Sequence, residues 1–168
     1  MPETNRQIQI DQFGSPQAAV QLVESPRPSP SAGQVLVRTA FAPINPSDVN
    51  VLEGRYGKLP PLPAIVGNEG AGTVIEVGPG SGSLTAGDRV IYLDRSDCWQ
   101  DFVLAEEEQL LRVPADLDLR LASMLKINPL TALCLLRTAG ELEPGEWVVQ
   151  NAANSGVGRA VIAIARAS

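Results

Sequence analysis

Between Gln7 and Val113 apolar residues come in short bursts that alternate with polar ones or are rich in β-branched side chains. "QIQI" (7–10), "AAVQLVE" (18–24) and "QVLVRTAFA" (34–42) predict strands. So do "GTVIEVG" (72–78), "RVIYL" (89–93), "DFVLA" (101–105) and "LLRV" (110–113). Proline and glycine punctuate them: "SPRPSPSAG" (25–33) is a broken loop, "YGKLPPLPAIVG" (56–67) an irregular one, and "PGSGSLTAGD" a long turn. One stretch differs. "NPSDVNVLEG" (45–54) predicts a short helix, with Pro46 at its first position and Gly54 beyond its end. Many short strands with turns between them predict a compact barrel.

The pattern changes near Pro114. "DLDLRLASMLKI" (116–127) has a helical period. "PLTALCLLRTAG" (129–140) predicts a clearer helix, with Asn128 as cap, Pro129 at the first position and Gly140 as the stop. Then "EWVVQNAANSGVGRAVIAIARAS" predicts a strand at 146–150, a small-residue loop at 151–158 and a helix that is apolar nearly all round. The expectation is a β domain over 1–115, followed over 116–168 by connecting helices and the entry into an α/β domain.

Composition narrows the function classes. The net charge of −6 argues against nucleic acid, whose phosphates are met by dense Lys/Arg surfaces. No apolar run reaches the roughly 18 residues of a membrane span. "MPETNRQIQI" carries neither the basic-then-apolar order of a secretory signal nor an Arg/Ser-rich amphipathic character. The expected location is therefore the cytoplasm. Only Cys98 and Cys134 are present, too few for a disulfide framework, and the chain has no histidine. That removes the commonest general base and the commonest zinc ligand, so chemistry falls to Tyr, Ser/Thr, carboxylates, Lys or a cofactor.

In "AANSGVGRA" the spacing Ala152-x-Asn154-x-Gly156-x-Gly158 stands where a dinucleotide fingerprint would. Glycines let backbone approach a pyrophosphate, and a helix N-terminus offers N–H groups and partial positive charge. Ala152 or Asn154 replaces the first glycine, however, and the loop alone reads first as an ordinary βα turn. The apolar strand before it and the apolar helix after it favour the functional reading.

With the order of parts in view, a glycine-rich barrel carrying "GNEGAGTVIEVG…AGDRV" (67–90), two helices and an A-x-N-S-G-V-G loop resembles the medium-chain dehydrogenase/reductase superfamily. Zinc enzymes of that family carry a Cys after the third strand and a His in "GHE". Here "APINPSDV" (42–49) has no Cys, and Asn68 replaces the His. The resemblance is thus to a zinc-free branch, and no metal is expected. "APINPSDVNVLEGRYGKLPPLPAIVGNEG" (42–70), "INPLTAL" (127–133) and "VVQNAANSGVGRAVI" (148–162) are similar to the mitochondrial-type trans-2-enoyl thioester reductases.

That resemblance implies a mostly β fold: a GroES-like barrel catalytic domain, then the first β-α unit of a truncated Rossmann domain. It implies reduction of the C2=C3 bond of an enoyl-CoA or enoyl-ACP with NADPH rather than NADH, hydride going to C3 and a proton to C2. The catalytic tyrosine falls in a G-x-Y-G stretch, here Gly54-Arg55-Tyr56-Gly57, so Tyr56 takes that role; a phenol both donates and accepts hydrogen bonds. Read without the resemblance, Tyr56 is a loop tyrosine packed on prolines. Asn128 takes the role of a cofactor asparagine, and Asn154, Ser155, Gly156, Val157 and Gly158 that of the nicotinamide-side loop. Asn45, Asn68 and Glu69 line the same region in the family but read first as structural. Trp99 reads as core, and Gly67 and Gly70 as tight backbone.

Relatives are longer than this chain, so the 2′-phosphate site, much of the acyl pocket and the homodimer face are expected outside these residues. An incomplete sheet would leave 146–168 self-associating and the 168 residues without enoyl reductase activity. Two other readings remain: a zinc-free quinone oxidoreductase, and a non-catalytic β-barrel module that self-associates.

Overall fold

The computed structural model describes residues 4–80, 82–94, 97–138, 142–143 and 145–167. They divide into two units, Met1–Ser123 and Met124–Ser168.

The first unit is built on two antiparallel sheets. One has the order β2-β1-β4, from Val20–Pro26, Thr4–Ile10 and the two-residue Ala64–Ile65. The other has the order β7-β3-β5-β6-β8, from Phe102–Glu106, Gln34–Phe41, Ala71–Val77, Arg89–Tyr92 and Leu110–Arg112. A bridge between Gln7 and Gln100 links the sheets and closes the barrel on that side. Buried Asn5 fastens the seam: its amide donates to the Phe102 carbonyl at 3.0 Å and its side-chain oxygen accepts the Phe102 N–H at 2.9 Å. Sequence reading left Asn5 unremarked, because an Asn at a strand start looks like an edge residue.

Alternation drives this half. Val35 and Val37 of β3, Val74 of β5, Val90 and Tyr92 of β6, and Val103 and Ala105 of β7 share one core. Register shifts in the β3–β5 pairing bend the sheet. Gly72 sits there because a side chain would run into the Arg38 carbonyl of the paired strand. A second cluster holds Ile10, Ala19, Leu52, Ala64 and Val66, with Phe13 and Trp99 packed on it.

The strands expected over 7–10, 18–24, 34–42, 72–78, 89–93, 101–105 and 110–113 all appear, shifted by a few residues. The start of the second becomes a one-turn helix, α1 (Pro16–Ala19), because Pro16 sits at its first position. The helix expected at 45–54 forms as α2 (Pro46–Leu52), and Gly54 follows it at φ +72°. The helix expected over 116–127 shrinks to α3 (Leu119–Ala122), capped by the Asp118 carboxylate accepting the Arg120 N–H at 2.8 Å. Ala122 and the following Ser123 are buried, and Leu117 and Leu119 pack partly on the same cluster.

The second unit packs two twelve-residue helices, α4 (Ile127–Thr138) and α5 (Gly156–Ala167). Gly140, the expected stop of α4, lies outside the described residues. The strand expected at 146–150 is not formed: a strand exists by pairing, and among the described residues none pairs with it. Trp147 and Val149 are consequently 93% and 96% exposed. The apolar character of α5 is covered along one stripe, centred on Gly158 and Val161, while Ile162 faces outward.

Candidate functional site

Tyr56 sits just past the end of α2. The helix ends by a chain of backbone bonds: Glu53 N–H to Val49 O at 3.0 Å, Gly54 N–H to Val51 O at 3.0 Å and Arg55 N–H to Asn50 O at 2.8 Å. The left-handed Gly54, a conformation that suits glycine, turns the chain, and Tyr56 emerges 45% exposed.

The other end of α2 is buried and polar. Asn45 precedes the helix, and its N–H donates to Asp48 Oδ2 at 2.7 Å. Asp48 Oδ1 accepts the Asn68 N–H at 3.1 Å. The Asn45 amide donates to Glu69 Oε1 at 2.8 Å, and the Cys98 thiol donates to the Glu69 carbonyl at 2.8 Å. Asn45, Asp48 and Glu69 are all buried. Burial pushes the Asp48 carboxyl up, and the bonds from Asn45 and Asn68 oppose that shift. The structure therefore brings together Asn45, Asn68 and Glu69, which the sequence grouped only through resemblance. It adds Asp48, which sequence reading passed over although Asn45-Pro-Ser-Asp48 has capping-box spacing. Among the described residues no three His, Cys, Asp or Glu side chains gather as a metal site.

Alongside α2 an apolar cavity of about 590 Å³ is lined by Ile8, Pro16, Ile44, Val49, Leu52 and Trp99. The Trp99 indole N–H bonds the Pro43 carbonyl at 3.2 Å, which fixes that wall. Gly67, at φ +108°, leaves room for the same ring: a Cβ there would come within 2.5 Å of it.

The remaining candidates belong to the second unit. Ala152 adopts φ +49°, and its carbonyl accepts the Ser155 N–H at 2.9 Å, forming a tight turn. Ser155 then caps α5, its hydroxyl accepting the Gly158 N–H at 3.1 Å. Arg159 N–H bonds Ser155 O at 2.9 Å, and Gln150 holds the Gly158 carbonyl at 3.1 Å. The N–H groups of Gly156 and Val157 precede any intrahelical acceptor, so this end carries donors and partial positive charge.

Asn128 lies against this turn. A Cβ on Gly156 would meet the Asn128 amide at 2.9–3.0 Å. Asn128 is not the cap it was expected to be; α4 begins one residue earlier, at Ile127, which places Asn128 in the first turn with its amide toward the loop. Gly158 is equally constrained, since its Cβ would come within 2.6 Å of the Ala152 carbonyl. Asn128 and Asn154–Gly158 are thus one local constellation, with Tyr56 on the other unit. Its donor set, helix-end N–H groups beside a neutral amide, fits the pyrophosphate and carboxamide groups of a nicotinamide dinucleotide.

The profile of the alcohol dehydrogenase GroES-like domain matches residues 31–115. The mitochondrial enoyl-[acyl-carrier-protein] reductase of Mus musculus is 43% identical over 167 residues, covering 99% of this chain and 45% of the mouse protein. Among solved structures, a complex of Etr1p with NADP and crotonyl-CoA is 29% identical, with a TM-score of 0.86 over 94% of this chain and 50% of that one. A quinone oxidoreductase from Coxiella burnetii is also 29% identical, with a TM-score of 0.84 over 98% of this chain and 54% of that one. The chain spans about half the length of the relatives it matches.

Proposed function

The chain belongs to the alcohol dehydrogenase GroES-like family, and on that footing we propose that it forms part of an NADPH-dependent trans-2-enoyl thioester reductase. The observation that carries this reading is the Asn128–Gly156 contact at the entry of α5, in a chain similar to an enoyl reductase over nearly all of its length. NADPH, when bound, supplies hydride. This chain's own residues supply the following parts of the site. The Gly156 and Val157 N–H groups and the α5 dipole hold negative charge, and Ser155 keeps that helix end open as its cap. The Asn128 amide orients a neutral polar group beside the same turn. Tyr56 is the proposed phenol O–H donor, to a developing oxyanion or to the carbon that takes the proton.

Two measurements test this. Titrating NADPH into ¹⁵N-labelled 1–168 is expected to move the amide signals of Asn154–Gly158 and of the Asn128 side chain, and to leave those of β1 in place. In the polypeptide as its gene specifies it, Tyr56→Phe is expected to lower kcat on crotonyl-CoA by about 10²–10⁴-fold without loss of NADPH binding. Unchanged turnover would remove Tyr56 from the mechanism.

A quinone oxidoreductase is the second reading, supported by the likeness to the Coxiella structure. Ranking kcat/KM on enoyl-CoA against a quinone separates the two.

A further inference from the structure

The base of α2 is clasped to the Gly67–Glu69 turn by one carboxylate. Asp48 takes the Asn45 N–H on one oxygen at 2.7 Å and the Asn68 N–H on the other at 3.1 Å. From Asp48 onward the chain is hydrogen-bonded without a break: through the helix, then from Glu53, Gly54 and Arg55 back to Val49, Val51 and Asn50. The far end is pinned as well, by Gly14 N–H to Leu52 O at 2.8 Å and by Phe13, whose Cβ lies 3.0 Å from where a Gly54 Cβ would be. The segment Asn45–Arg55 is therefore a short rigid arm, and the next residue is Tyr56. Asp48 is 3% exposed, and burial disfavours its charge, so this carboxylate is kept where an apolar residue would suffer no desolvation. Each oxygen meets a different strand-connecting segment, a geometry that an amide cannot reproduce, because one of its two ends is a donor.

We propose that Asp48 is a positioning residue for Tyr56, setting through α2 where the phenol stands relative to the Asn68–Glu69 turn. This deepens the enoyl thioester reading and rests on it for the chemistry, but the positioning itself is testable without substrate.

The chain has two tyrosines, Tyr56 and Tyr92, the first exposed and the second fully buried in the barrel core. Protein labelled with 3-fluorotyrosine therefore gives one ¹⁹F signal for the arm and one for the core. In Asp48→Asn the Tyr56 signal is expected to shift or broaden while the Tyr92 signal holds. Asp48→Ala is expected to exaggerate the change, and Asp88→Asn, whose carboxylate bonds the Thr85 turn and pairs with Arg112, to leave both signals in place. In the polypeptide as its gene specifies it, Asp48→Asn is expected to lower kcat on crotonyl-CoA about tenfold with KM within about twofold, since substrate contacts remain and alignment is lost. A Tyr56 signal that stays put in both Asp48 variants overturns the proposal, as does a Tyr92 signal that moves with it in both. If Tyr56 responds and the wild-type polypeptide leaves crotonyl-CoA unreduced, the positioning stands and the enoyl thioester reading falls.

Discussion

Gly158 stands where α5 passes closest to its own entry turn. A methyl group there would come within 2.6 Å of the Ala152 carbonyl and 2.8 Å of Ala153. Gly158→Ala must therefore displace the turn, and a loss of about 1–3 kcal/mol is expected by analogy with overpacked cores. Thermal unfolding of the variant checks this. Gly156→Ala acts differently. Its methyl would meet the end of a side chain, the Asn128 amide, which shifts at less cost than backbone. The expected outcome is near-native stability with weakened NADPH binding, read by denaturation and by titration on the same sample. The sequence showed that glycines were needed here. It did not show that Asn128 is what one of them accommodates, because the spacing of 28 positions carries no local period.

At the scale of elements, two ends are held by single side chains. Ser155 caps α5, so Ser155→Ala is expected to cost about 1 kcal/mol and Ser155→Asp to recover most of it, as measured by chemical denaturation. Glu107 holds the 82–84 loop, its carboxylate accepting from the Gly82, Ser83 and Leu84 N–H groups and the Ser83 hydroxyl at 2.5–3.0 Å. Those bonds, led by the Ser83 hydroxyl, bring its pKa from the ordinary 4.5 down to about 2. A lowered folded-state value means that the stabilisation is present above 4.5 and lost as pH falls toward 2. Protection of the Ser83 and Leu84 amides, taken relative to their intrinsic exchange rate at each pH, is expected to fall across that window, and Glu107→Gln to remove this pH dependence. Asp48 has the opposite sign: burial raises it, so its contribution grows as pH falls.

Elements with a strong local period were legible. β3, β5 and β7 follow from alternation, and α2 from Pro46 and Gly54. The failures share a cause in non-local partners. The 116–127 helix ends at Ala122, and among the described residues the 146–150 strand has no neighbour to pair with. Asp48 escaped notice because a buried carboxylate is defined by the turn folded over it, twenty positions away.

For the whole molecule the exposed apolar side chains matter most. Trp147, Val149, Leu130 and Leu135 are more than half exposed on the second unit. An uncovered apolar surface promotes association. Residues 1–168 are expected to self-associate with rising concentration, and Trp147→Lys with Val149→Asp to shift light scattering toward monomer. A wild-type chain that stays monomeric would set this expectation aside. The division into two units also falls between the chain's two tryptophans. Trp99 is half-buried in the first, with its indole bonded to Pro43, and Trp147 stands almost wholly in solvent on the second. Their emission is therefore naturally two-coloured, blue from one and red from the other. A fluorescence melt therefore reports the first unit through Trp99, against a steady red background from the already exposed Trp147.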